Sequence, residues 1–199
     1  MNTNSDTQRV ASIIASADID AAVAALVLAN VEDPVMRFIF DTPLRTMTYS
    51  PQLFRALMTQ SFDSGCAQWT NDGLAIACWQ PPGVRLDDGP IADIVIKGCA
   101  QEKLETLFGL VEEVERYRPN SPHWYLAALG VDPVSQNCGR GSMLLQSRLA
   151  ECDAMHVPVF LWSSNERNIP FYERHRFEVQ AILRAGECPP MIPMVRRAQ

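Results

Sequence analysis

The sequence has no uninterrupted apolar stretch approaching the roughly 18 residues that a membrane-spanning helix requires. Its first residues, Met1-Asn2-Thr3-Asn4-Ser5-Asp6, lack the basic-then-apolar pattern of a secretory signal. A soluble, cytoplasmic protein is the expectation. Its six cysteines, at 66, 78, 99, 138, 152 and 188, form no CxxC pair and no zinc-ribbon spacing, so reduced thiols are expected rather than a disulfide framework. Positive charge is scarce: 17 Lys+Arg against 23 Asp+Glu leave a net charge of −6, with the basic residues dispersed. A phosphate backbone is gripped through a clustered cationic footprint, so neither nucleic acid nor a membrane surface is expected as a partner. There is no Gly-x-Ser-x-Gly elbow and no sequence-adjacent His for Cys138, which leaves a covalent acyl-enzyme without support.

What is present suits one compact domain over 1–199, since 47% of the 199 residues are hydrophobic and only 20% charged. A short strand is expected at 9–14, then an amphipathic helix at 18–30 carrying Val23, Leu26 and Val27 on one side, with Asp18 as cap. Residues 33–50 mix Pro34, Pro43 and the aromatics Phe38, Phe40 and Tyr49 without a period, which reads as an aromatic loop lining a site. Ser50-Pro51 then opens a helix with Phe54, Leu57 and Met58 on one side. Strands at 66–70 and 74–79 flank the turn Asn71-Asp72-Gly73, and Pro81-Pro82-Gly83 ends that hairpin. A helix over 90–117 is expected to bend or break at Gly98 or Gly109.

From Pro122 the pattern alternates: strand 123–131, helix 139–155, strand 157–162, helix 169–175, strand 177–183, and a last strand over 191–196 after a Pro189-Pro190 loop. Leu145, Leu149 and Cys152 share a helix face, so Cys152 reads as a small hydrophobe. Cys152 and His156 are spaced as two zinc ligands, yet no further ligand lies nearby and no metal is expected.

The run from Leu129 to Ser142 joins an apolar strand to a helix through Gly139 and Gly141. Helix first turns present unpaired N–H groups at the positive end of the dipole, and glycines let a phosphate approach the main chain. The same two glycines also suit a plain tight turn. Leu144 occupies the third glycine position of a dinucleotide fold, and no lysine follows Gly141 as a Walker loop demands, so Rossmann and ATPase readings are set aside.

Gln136-x-x-Gly139-x-Gly141 after Leu129-Gly130-Val131, together with Asn168-Ile169-Pro170-Phe171-Tyr172-Glu173-Arg174, resembles the GNAT superfamily of N-acetyltransferases, and most of all its puromycin N-acetyltransferase-like small-molecule enzymes. The most specific motifs lie within 122–178. The resemblance implies a single α/β (α+β) domain with a mixed, mostly antiparallel sheet flanked by helices, acetyl-CoA as cosubstrate entering where two central strands diverge, and direct acetyl transfer to a small-molecule amine. It implies that Leu129, Gly130 and Val131 pair with the pantetheine arm. The N–H groups of Asn137, Cys138, Gly139, Arg140, Gly141 and Ser142 would then hold the pyrophosphate, with Gln136 positioning the loop, Asn168 reaching the pantetheine, and Tyr172 protonating the departing thiolate. A phenol of ordinary pKa about 10 stays protonated at neutral pH, which suits that last role.

Three positions depart from the pattern. Arg176 stands where relatives carry glycine before Phe177, so it must bear a positive φ or the turn must differ. Cys138 replaces a basic or small residue, with Arg140 two positions later for a phosphate to meet. Trp162 stands where several relatives carry a strand glutamate, which leaves the base unassigned between His123, Asp41 and a water chain. Arg176 and Trp162 motivate a rival reading, a catalytically impaired acyl-CoA-binding module. A third is a protein that binds another phosphate compound on the same loop. The acceptor and any homodimer stay open, although the acidity mildly suits a cationic acceptor and segments 33–50 and 184–190 are where its specificity would lie.

Overall fold

A computed structural model describes residues 11–199. The first residues of the expected 9–14 strand lie outside that range, and β1 is Ala11–Ile13. Next come α1 (Ile19–Ala29), α2 (Pro34–Ile39), α3 (Pro43–Asp63), β2 (Ala67–Thr70), β3 (Ala75–Gln80), α4 (Asp88–Gly98) and α5 (Gln101–Glu115). The second half holds β4 (Trp124–Val131), α6 (Arg140–Ala154), β5 (Val159–Ser163), α7 (Ile169–Arg174), β6 (Glu178–Val179), β7 (Leu183–Ala185) and β8 (Cys188–Arg196). No helix among the described residues is long and apolar enough to cross a membrane.

Several boundaries correct the sequence reading. Residues 34–39 and 43–50 are helical rather than a loop, because Asp33 and Thr42 each cap a helix that opens on proline. Asp33 Oδ1 accepts from the amides of Val35 and Met36, both at 3.0 Å, and Thr42 Oγ1 from that of Arg45 at 3.2 Å. Of the two hydroxyl-proline pairs within 42–51, α3 starts at Thr42-Pro43, leaving Pro51 inside the helix. Asp18 makes no side-chain cap. The 90–117 helix breaks at Cys99-Ala100, after Gly98, where a Cβ would stand 2.5 Å from Phe40 Cε1 and 2.8 Å from the Tyr49 ring. Gly98 is therefore a packing glycine. The 177–183 strand divides into β6 and β7, and Pro189 and Pro190 lie inside β8 rather than in a loop.

The sheet runs β1-β2-β3-β4-β5-β8-β6, with β7 also pairing β8. Every pair is antiparallel except β4 with β5, which holds together only at Trp124 with Val159 and Tyr125 with Phe160. Beyond Tyr125 the two strands part. A bulge places Cys78 opposite Ala128 and Trp79 opposite Leu126, so Ala127 is the extra residue just where the divergence begins.

Alternation on the strands decides the two faces. Ala75, Ala77 and Trp79 of β3 join Leu126 and Leu161 against Leu144, Leu145, Leu149 and Cys152 of α6. Burial takes the Cys152 thiol up to about 12, so it stays a neutral hydrophobe as expected. On the opposite face Ile76 and Cys78 pack on α1 and α3, while Tyr125 and Phe160 pack with Leu104, Leu107 and Leu110 of α5.

At Gly130 an added Cβ would stand 2.9 Å from Ala29 Cβ and 3.0 Å from Leu26 Cδ2, so α1 approaches β4 closely because that residue has no side chain. Arg176 adopts φ +66°: it bears the left-handed conformation that glycine would hold without penalty. It is exposed, and its guanidinium pairs with the Gln199 side chain.

Gly130→Ala should lower unfolding free energy in urea by about 1–3 kcal/mol through overpacking. Arg176→Gly should raise it by up to about 1 kcal/mol, the relieved backbone strain being partly offset by a freer unfolded chain.

Candidate active site

Where β4 leaves β5, its backbone edge opens. Asp132 N–H donates to Leu74 O at 2.8 Å, so along this ladder residues 128, 130 and 132 bond toward β3 while the amides and carbonyls of Leu129 and Val131 face the gap. Gln136 Nε2 donates to Val131 O at 3.3 Å, tying the following loop to that edge. The loop turns through Asn137 at φ +59° and Gly139 at φ +81°, then enters α6 with no side chain capping its first turn. The N–H groups of Arg140, Gly141 and Ser142 thus open on a cleft of about 680 Å³, at the positive end of a helix of 15 residues.

This cleft is lined by Leu129, Val131, Gln136, Asn137, Gly139, Arg140, Gly141, Ser142, Asn168 and Tyr172, ten of the twelve residues named from sequence. Gly130 instead receives α1, and Cys138 is exposed beside the Arg140 guanidinium. A Cβ on Gly141 would stand 3.2 Å from Phe171 Cζ and 3.4 Å from Val131 Cγ2, so a bare glycine keeps this cradle shallow. A diphosphate fits such a floor, with amides for its oxygens and no Cβ in its way.

Arg140 is already engaged. Its Nε and Nη2 lie 3.0 and 2.7 Å from Asp72 Oδ2 on the β2–β3 turn. Burial raises the Asp72 pKa, but hydrogen bonds from Arg140, Thr70 and Leu74 outweigh it and bring the carboxyl down to about 2. The main-chain amides face the anion site, with Arg167 and Arg174 also lining the cleft, while Arg140 fixes the α6 entrance to the hairpin. Ser142 Oγ meets His175 Nε2 at 3.0 Å, joining α6 to the end of α7. Burial, then the nearby Arg174 and Arg196 charges, lower the His175 pKa.

A second cavity of about 430 Å³ lies on the other face. Its walls are mainly apolar, with Met36, Phe54, Leu57, Val95, Phe108 and Trp162 among them. Arg118 at its far side is held bidentately by Glu115, at 2.6 and 2.7 Å. Trp162 Nε1 donates to the Tyr125 hydroxyl at 3.1 Å, so the tryptophan in the expected glutamate position builds this wall. The two cavities share Asn30, Asp33, Leu129, Asn168 and Tyr172. Tyr172 is 8% exposed, and burial, then the Asp33 charge, push its phenol well above the ordinary range.

Neither sequence candidate for the base reaches this junction. His123 Nδ1 lies 2.8 Å from Ser121 O at the outer end of β4, and Asp41 pairs with Lys103 at 2.7 Å and Arg45 at 2.8 Å. Asp33 lies there, unremarked in the sequence because its bonding partner Ser164 is 131 positions away. The only sequence signal was Asp33-Pro34, a helix-opening pair. No cluster of metal-ligating side chains occurs among the described residues.

Residues 98–177 match the family model described as the acetyltransferase (GNAT) family. An uncharacterised N-acetyltransferase of Schizosaccharomyces pombe is 26% identical over 208 residues, spanning 92% of this chain and 81% of that protein. A Corynebacterium glutamicum structure described as histone acetyltransferase HPA2 and related acetyltransferase superposes with a TM-score of 0.70 at 19% identity, covering 96% of this chain and 97% of that one. Arylalkylamine N-acetyltransferase 2 of Aedes aegypti gives a TM-score of 0.66 at 10% identity, covering 96% and 100%. The mostly antiparallel sheet flanked by helices is the fold these structures share with the chain.

Because the folded pKa of His175 lies below its ordinary 6.5, the stability tied to the neutral ring is complete above pH 6.5 and is lost as pH falls from there through the folded value. His175→Asn, which keeps a polar partner for Ser142, should lose less stability than the parent between pH 7 and 5 in parallel urea titrations.

Proposed function

We propose that this chain, an acyltransferase carrying a GNAT acetyltransferase domain over 98–177, binds acetyl-CoA in the larger cleft and transfers its acetyl group directly to the amine of a small, largely apolar molecule held in the second cavity. The observation that carries the reading is the junction. An amide-floored cleft suited to a diphosphate and an apolar cavity meet at Tyr172, so an acyl donor and an acceptor entering from opposite faces come together beside one phenol.

When bound, acetyl-CoA supplies a thioester electrophile. The chain's own groups do the rest. The N–H groups of α6's first turn receive the diphosphate, and the gap-facing amides of Leu129 and Val131 orient the pantetheine and polarise the acyl carbonyl. Asn168 sits at the junction as a further polar contact. Tyr172 holds its proton throughout the physiological range, because burial penalises the phenolate. The same low-polarity surroundings penalise a departing thiolate, so the phenolic proton has a destination at the moment the sulfur leaves.

The second cavity's apolar walls favour an acceptor with an apolar body, and its volume of about 430 Å³ suits a small molecule. The arylalkylamine acetyltransferase among the similar structures has a name consistent with that choice. The impaired-module reading loses its motives here: Arg176 bears its strain on the exposed surface, and Trp162 forms part of the acceptor wall.

A panel of aromatic and aliphatic primary amines, assayed for free thiol with acetyl-CoA, tests the reading. Thiol release with apolar amines is expected; cofactor binding without release in any amine's presence would sink it. Tyr172→Phe should keep acetyl-CoA affinity and lower kcat by about 10²-fold or more. An unchanged kcat across pH removes Tyr172 from the chemistry.

A further inference from the structure

Acetylating an amine requires a group that takes the nitrogen's proton, and among the described residues the carboxylates near the site are not equivalent. Glu32 lines the donor cleft only, and Asp88 and Glu115 the acceptor cavity only; Asp33 lines both. It stands at the junction with Tyr172, close enough for its charge to raise that phenol's pKa. Its orientation is over-determined. Oδ1 accepts the Val35 and Met36 amides at the start of α2, and Oδ2 accepts the Ser164 hydroxyl from just beyond β5. None of these partners titrates, so the carboxyl carries the site's proton exchange itself. Arg140 on the donor side and Arg118 on the acceptor side are each committed to another carboxylate, leaving Asp33 without an ion pair of its own among the described residues.

We propose that Asp33 is the general base that takes the proton from the acceptor amine. This rests on the acetyl-transfer reading above. The acceptor arrives as an ammonium, loses one proton to the Asp33 carboxylate, and that proton leaves to solvent along the cleft. The neutral nitrogen's lone pair forms the C–N bond to the acyl carbon, and Asp33 takes the nitrogen's second proton. The C–S bond breaks, its electron pair leaves with sulfur, and sulfur takes the phenolic proton of Tyr172. Return of the proton from Asp33 to the Tyr172 oxygen restores both side chains. Burial raises the Asp33 pKa against the opposing hydrogen bonds from Ser164, Met36 and Val35, which brings the carboxyl nearer to the pH at which it must both accept and release a proton.

Asp33→Asn is the discriminating variant, because asparagine also caps helices and retains an acceptor for the α2 amides. With an amine that the parent acetylates, kcat should fall by about 10²-fold or more while the acetyl-CoA Kd by calorimetry is unchanged. The residual rate should climb with pH as free amine accumulates, whereas the parent's rate should depend less steeply on pH. A readout without substrates accompanies these. A carboxyl with its folded pKa above the ordinary 3.8 favours folding least once ionised, so the neutral variant should gain stability relative to the parent as pH rises from 4 to 7. A variant kcat within threefold of the parent's with the same pH profile overturns the assignment, and so does a stability difference independent of pH. A parent that binds acetyl-CoA yet releases no thiol with any amine overturns the acetyl-transfer reading, and this one with it.

Discussion

The structure depends on a parallel strand pair that is deliberately short. β4 and β5 share only the Trp124–Val159 and Tyr125–Phe160 register before they part, and a bulge at Ala127 turns β4 away at that point. Backbone polar groups left unpaired inside a protein are costly, so an edge of this kind persists only when something else answers it. Gln136 answers one carbonyl. The remaining amides face a gap whose other walls are the start of α6 and the junction around Tyr172, so the break in the sheet creates the site that its neighbours complete.

Electrostatics at that gap is built from the main chain together with charged side chains. One cation of the cleft, Arg140, is spent on Asp72, and the uncapped first turn of α6 adds positive potential to that of Arg167 and Arg174, which also line it. The negative partner on the far wall, Asp33, is held by amides and a hydroxyl rather than by a counter-cation. A domain with net charge −6 can therefore attract a strongly anionic donor locally while keeping a negative group where an amine would arrive.

The glycine-rich turn and the α6 face carrying Leu145, Leu149 and Cys152 were legible in the sequence because each depends on residues near in the chain, whereas Tyr172 was reached through the family resemblance. Gly139 supplies a positive φ within its own turn, and the φ of Arg176 was expected from the resemblance, whose pattern carries glycine there. The N-terminal third was harder to read. α2 and α3 begin at Asp33-Pro34 and Thr42-Pro43, but their apolar residues answer to several neighbours at once and show no clean period. β8 tolerates Pro189 and Pro190 because they precede its ladder with β5, which begins at Ile192, and fall where the β7 pairing is irregular, so few ladder hydrogen bonds are lost; local propensity does not register this. Asp33 was invisible as a site residue for the same reason: its meaning comes from Ser164 and Tyr172, brought to it by the sheet.

The meeting of two chambers at a shared set of residues also bears on ligand design. A molecule that reaches from the amide floor past Tyr172 into the apolar chamber would engage both at once. Its second half would bind at the high effective concentration that tethering confers, so two weak fragments joined by a spacer of the right span would multiply their affinities. Specificity would then be drawn from the apolar chamber, while the diphosphate floor supplies the anchor.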